Sequence, residues 1–140
     1  MIYVDTSVIV AGFTVESSTL AAQSWLEAHH GERLATSLWV KTEFYSALAM
    51  KRRLKEIDDL TYTSTTRQFL KMSRDTLFEF AISRSHFETA AEIVAQYELK
   101  LRAADALHLA IAADNGATLC TLDQRLFDAA KALGIACMMP

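Results

Sequence analysis

Five short apolar runs punctuate this chain, and none is long enough to make a helix. They are Ile2-Tyr3-Val4, Leu34 to Thr36, Leu77 to Ile82, Ala117 to Thr121 and Ile135 to Met138. Between them lie stretches whose apolar residues recur at helical spacing. Buried strands alternating with helices build a mostly parallel sheet, because each helix carries the chain back to the edge where the next strand starts. The expected helices cover Thr6 to Phe13, Leu20 to His29, Leu38 to about Leu54, Asp58 or Asp59 to about Met72, Ser85 to Tyr97, Ala103 to Asp114 and Gln124 to Leu133. Ser37 is placed to cap the third, and Gly116 and Gly134 are placed to end the last two. Right-handed crossovers put helices on both faces of such a sheet. The expected class is therefore α/β, with three layers (α/β/α) around a central sheet of four to five strands. A length of 140 residues suits one domain, and 1 Pro with 4 Gly leaves no linker to divide it.

Composition narrows the function. Hydrophobic residues make up 51% of the chain and charged residues 22%, so disorder is not expected. Asp5 interrupts the first apolar run and no basic segment precedes it, so no secretory signal is expected. No apolar run reaches the roughly 20 residues that span a bilayer. Two cysteines, Cys120 and Cys137, make no disulfide framework, and a reducing cytoplasm fits them. The net charge of −3 argues against a generally basic nucleic-acid binder. Local clusters remain: Lys51, Arg52, Arg53 and Lys55, and then Arg67, Lys71 and Arg74. Either a solvated helix face or a phosphate-facing patch accounts for them.

The acids are more informative. Ligands of parallel sheets bind beyond the carboxyl ends of the strands, and a helix that follows a strand begins at that same edge. Asp5 ends the first strand. Glu43 lies early in the helix after the second, Asp105 in the first turn of the Ala103 helix, and Asp123 just after the strand ending at Thr121. All four map to one edge. Asp5 and Asp123 also suit helix caps, and Asp105 suits the helix dipole. Glu43 is harder to explain as scaffold: Val40 and Phe44 flank it on the core-facing stripe, where an unpaired charge is costly, and no cation at helical spacing pairs with it. Converging carboxylates repel unless protons or cations neutralise them. No histidine or cysteine joins them at a recognisable spacing. His108 lies one turn after Asp105, which suits a ligand, but its neighbours Leu107 and Leu109 favour a packed side chain. An all-oxygen donor set favours Mg²⁺ or Mn²⁺. Such ions lower the pKa of a coordinated water and hold phosphate oxygens, which is what cutting a phosphodiester requires. The hydroxyls of Thr6, Ser7 and Thr121 are placed to support the carboxylates.

Four stretches also carry a family pattern: MIYVDTSVIV, VKTEFYSAL, LRAADALHLAIA and ATLCTLDQRLFDAAKALGI. In this order, over the whole chain, they resemble the PIN-domain ribonucleases, and more narrowly the VapC-type toxins of bacterial toxin–antitoxin pairs. The resemblance puts the family's acidic positions on Asp5, Glu43, Asp105 and Asp123. It puts the family's hydroxyl after the first aspartate on Ser7, with Thr6 beside it, and the hydroxyl before the last acid on Thr121. It implies a PIN-like fold and an Mg²⁺- or Mn²⁺-dependent endoribonuclease in which activated water cleaves RNA. It further implies a homodimer, no membrane partner, and a VapB-type antitoxin whose tail covers the acidic pocket. Lys51, Arg52, Arg53 and Lys55 are the expected holders of the RNA backbone, with Arg102 and Arg125 near the acidic edge. The rival readings are a non-catalytic PIN-like module that binds RNA or protein, a non-toxin RNA-processing nuclease, and phosphoryl transfer through Asp5.

Overall fold

Five strands form one wholly parallel sheet in the computed structural model, which describes residues 1–140. They are β1 (Ile2–Val4), β2 (Leu34–Ser37), β3 (Phe78–Phe80), β4 (Thr118–Cys120) and β5 (Cys137–Met138), in the order β3-β2-β1-β4-β5. Helices α1 (Thr6–Phe13) and α2 (Thr19–Ala28) join β1 to β2, and α3 (Leu38–Arg53) and α4 (Asp59–Asp75) join β2 to β3. Helix α5 (Arg84–Val94), a 3₁₀ turn at Tyr97–Leu99 and α6 (Ala103–Asp114) lead to β4. Helix α7 (Gln124–Ala132) leads to β5. Right-handed crossovers place α1 to α4 on one face and α5 to α7 on the other, giving three layers. The packing agrees: α1 lies against α2, α3 and α4, while α5 lies against α6.

Local chemistry sets the boundaries. Ser37 accepts a hydrogen bond from the Val40 backbone N–H and starts α3, and Asp58 does the same for α4 through Thr61. Gly116 and Gly134 follow α6 and α7 with φ of +56° and +69°, a conformation that a Cβ disfavours. Several boundaries differ from the expected ones: α4 runs on to Asp75, and β5 starts only at Cys137. Helix α5 stops at Val94, and the chain re-forms only a 3₁₀ turn at Tyr97. Strand β3 is shorter than Leu77 to Ile82, because only Phe78, Glu79 and Phe80 find partners on β2.

One core runs through both layers. Its largest fully buried side chains include Tyr3, Phe44, Phe69, Ile9, Leu48, Leu109, Ile111 and Leu119. Phe44 stacks on Phe69 with ring centroids 4.0 Å apart, and Phe13 meets both edge-on. Burial of each such ring contributes roughly 1.5–3 kcal/mol.

The strand order fixes where a site can form. From β1 the chain steps outward to β2 and β3, then crosses back to β4 and β5 on the other side. The loops after β1 and β4 therefore leave toward opposite faces, and a crevice opens between their carboxyl ends. The Asp5 backbone N–H donates to the Cys120 carbonyl at 2.9 Å, which carries the β1–β4 pairing to the floor of that crevice.

Candidate metal centre

Asp5 occupies the crevice and is almost fully buried, at 4% exposure. It does not cap α1, since its carboxylate makes no bond to that helix's first N–H groups. Its Oδ2 instead accepts from Ser7 Oγ and Thr121 Oγ1, both at 2.6 Å. Those hydroxyls are themselves fixed: the Leu122 N–H donates to Ser7 Oγ at 2.9 Å, and the Asp123 N–H donates to Thr121 Oγ1 at 3.0 Å. One oxygen of Asp5 is thus tied to the scaffold, and Oδ1 is left for the crevice.

Glu43 reaches the same place from α3. Its Oε2 accepts from the Thr6 hydroxyl. It also meets His108 Nε2 at 2.7 Å, and that nitrogen lies 3.3 Å from Asp5 Oδ1. Asp5, Glu43 and His108 each offer a donor atom, and these atoms all lie within 4.8 Å of one another. Two expectations are corrected here. A histidine does join the acids, and Glu43 does have a partner, although 65 residues separate it from His108. The sequence signal for His108 is its place one turn after Asp105, on the same face of α6, which the flanking leucines outweigh. Tyr3 reads in the sequence as a strand residue only, yet its hydroxyl meets His108 Nδ1 at 3.1 Å and Ser37 Oγ at 2.8 Å.

Asp105 and Asp123 stand at the same edge but outside that tight group. Asp105 Oδ2 accepts from the Arg102 backbone N–H at 3.0 Å. Asp123 Oδ1 caps α7 by accepting from the N–H groups of Arg125 at 2.8 Å and Leu126 at 3.2 Å. Each aspartate therefore spends one oxygen on a helix start. Burial raises the Asp105 pKa, and the charges of Asp123 and Asp5 add to that against the Arg102 N–H and His108.

The charged groups of the crevice shift one another. Burial disfavours charge on His108, but Asp5, Glu43 and Asp105 outweigh it and hold its pKa above the ordinary value. Burial also opposes charge on Glu43, where His108 and Thr6 prevail and pull its pKa down. No lysine or arginine pairs with any of the four acids. The donor set of carboxylates with one imidazole fits a hard or borderline divalent ion. Cys120 lies just behind, and burial with the Asp5 charge pushes its thiol up to about 12, so it stays protonated and inert.

The basic cluster lies elsewhere. Lys51, Arg52 and Arg53 form the last turn of α3 and Lys55 follows it, whereas Glu43 is near its start. Eight residues of helix put about 12 Å between Glu43 and Lys51 along the axis. Lys51 pairs with Glu16 at 2.8 Å and Glu56 at 3.6 Å, and Arg52 pairs with Asp59. Arg102 and Arg125 sit at the acidic edge, exposed and without ion pairs.

Comparison with known proteins follows the same lines. No curated protein matches the chain. Solved structures do. VapC20 of Mycobacterium tuberculosis, a toxin that cleaves the sarcin-ricin loop, is 20% identical with a TM-score of 0.75, over 100% of both chains. VapBC2 of Rickettsia felis, solved on a DNA fragment from its promoter, is 19% identical with a TM-score of 0.71, over 100% of this chain and 99% of that one. FitAcB of Neisseria gonorrhoeae is 18% identical with a TM-score of 0.67, over 99% of this chain and 96% of that one. At such identities the likeness is one of fold. The PIN domain model matches residues 2–132, nearly the whole length, and the chain belongs to the PIN domain family.

Proposed function

We propose that this chain is a divalent-cation-dependent endoribonuclease acting as the toxin of a toxin–antitoxin pair. The observation that carries the reading is the set of carboxylates gathered at the β1–β4 crevice with no lysine or arginine among them. Asp5, Glu43, Asp105 and Asp123 would hold Mg²⁺ or Mn²⁺. An ion held there supplies Lewis acidity toward water and offsets charge on a scissile phosphate. The chain's own residues do the rest. Ser7 and Thr121 keep Asp5 facing the crevice, and Thr6 steadies Glu43. Arg102 and Arg125 are the better candidates for RNA phosphate, because Lys51, Arg52, Arg53 and Lys55 lie at the far end of α3. Unpaired loops expose their bases, so a structured RNA loop is the expected substrate class.

The likeness to VapBC2 supports a VapB-type antitoxin as partner. A groove of about 500 Å³ between α5 and α6, lined by Trp39, Phe87, Val94, Ala104 and Leu107, suits an apolar antitoxin segment. A homodimer belongs to the same reading, and light scattering of the purified chain tests it. The test of activity is cleavage of a panel of structured RNAs in Mg²⁺ or EDTA by wild type and Asp5→Asn. Cleavage by the wild type in Mg²⁺ alone is the expected result. Equal cutting by both proteins, or in EDTA, overturns the proposal. Growth arrest on expression, relieved by a neighbouring antitoxin, separates a toxin from a housekeeping nuclease.

A further inference from the structure

His108 is the one group in the crevice that the carboxylate chemistry leaves unused. Its ring is 2% exposed, and both nitrogens are engaged. Nε2 faces Glu43 Oε2 at 2.7 Å and Asp5 Oδ1 at 3.3 Å. On an octahedral ion with bonds of about 2.1 Å, adjacent ligands lie about 3 Å apart, which falls between these two spacings. The far side of the ring is anchored. Nδ1 meets the Tyr3 hydroxyl at 3.1 Å, and that hydroxyl meets Ser37 Oγ at 2.8 Å. Ser37 is in turn held by its place at the start of α3, the helix that carries Glu43. A metal-ligating imidazole is typically oriented in this way, its second nitrogen bonded to a fixed partner.

We infer that His108 Nε2 is itself a cation ligand, so that with Asp5 Oδ1 and Glu43 Oε2 it forms a mixed nitrogen–oxygen site selecting Mn²⁺ over Mg²⁺. This rests on the reading of Asp5 and Glu43 as the cation's carboxylates. An imidazole nitrogen adds affinity for first-row transition ions and little for Mg²⁺, which keeps its waters and prefers oxygen. On binding, the Nε2 proton is released to solvent while the other proton stays on Nδ1, which donates it in a hydrogen bond to the Tyr3 hydroxyl.

Pulsed EPR on the full chain loaded with Mn²⁺ tests this directly, using protein labelled with ¹⁵N-histidine and unlabelled protein. The expected result is a nitrogen modulation of the Mn²⁺ signal that changes with the label. Calorimetry with Mn²⁺ and with Mg²⁺ gives the second readout. His108→Gln should weaken Mn²⁺ binding by about tenfold or more while changing Mg²⁺ binding much less. Tyr3→Phe should lower Mn²⁺ affinity in the same direction by a smaller factor. Bound Mn²⁺ that is lost in Asp5→Asn but shows no histidine modulation overturns the ligand assignment and leaves the carboxylate centre standing. Wild-type protein that binds no Mn²⁺ overturns both. The label experiment needs no variant, so a misfolded His108→Gln does not decide the matter.

Discussion

Asp5 accepts two hydroxyl donors on one oxygen, from Ser7 nearby and from Thr121, which lies 116 positions away in sequence. Thr121→Val removes a fully buried donor and also orphans the Asp123 N–H. It should lower stability by about 1–3 kcal/mol, read as a lower urea midpoint with unchanged slope. Asp105 is the opposite case. Burial, with the charges of Asp123 and Asp5, raises its folded pKa, so its stabilising contribution is present at low pH and is lost as pH rises from the unfolded value through the folded one. Asp105→Asn should therefore raise the melting temperature at neutral pH in ion-free buffer, and the gain should vanish under acid conditions. His108 also has a raised folded pKa, because Asp5, Glu43 and Asp105 outweigh its burial. Its contribution is complete below the unfolded pKa near 6.5 and is lost as pH rises through the folded one. Melting temperature of the ion-free protein should fall through that window, and His108→Gln should flatten the fall. The residue scale is also where sequence reading was weakest. Asp5 was legible because a carboxylate is out of place in a buried strand. His108 was masked by Leu107 and Leu109, which make it look like core, and its partner Glu43 is on another helix.

At the scale of elements, polarity decides what each helix end can reach. Helix α3 follows β2 in a parallel sheet, so its start lies at the carboxyl edge and its last turn lies away from it. That rule placed Glu43 correctly, and applied to the same helix it also separates Lys51 to Lys55 from the acids. Charge alone does not tell which end of α3 the cluster occupies; helix polarity does. The strand–helix alternation, both glycine stops and the Ser37 cap were legible because each is a local signal. The early end of α5 was not, since the apolar Tyr97 and Leu99 continue the helical pattern into a 3₁₀ turn. Gly116 offers a clean test of one stop. A Cβ there would meet nothing within 4 Å, so only its left-handed backbone matters. Gly116→Ala should destabilise by about 1–2 kcal/mol in urea unfolding and leave divalent-ion binding unchanged.

For the whole molecule, the order β3-β2-β1-β4-β5 turns acids spread from position 5 to position 123 into neighbours. A parallel sheet with one reversal point has one such crevice, and the chain has put its most crowded carboxylates there. His108 offsets the crowding at Glu43 and Asp5 but leaves Asp105 with a raised pKa, and a cation that relieves it links folding to binding. Thermal unfolding in Mn²⁺ against EDTA measures that link. At a free-ion level a hundred times Kd, binding to the folded state adds about 2.7 kcal/mol, enough to raise the melting temperature by several degrees. Wild type should show that rise, and Asp5→Asn should show almost none. No rise in the wild type, or an equal rise in both proteins, would contradict the metal centre.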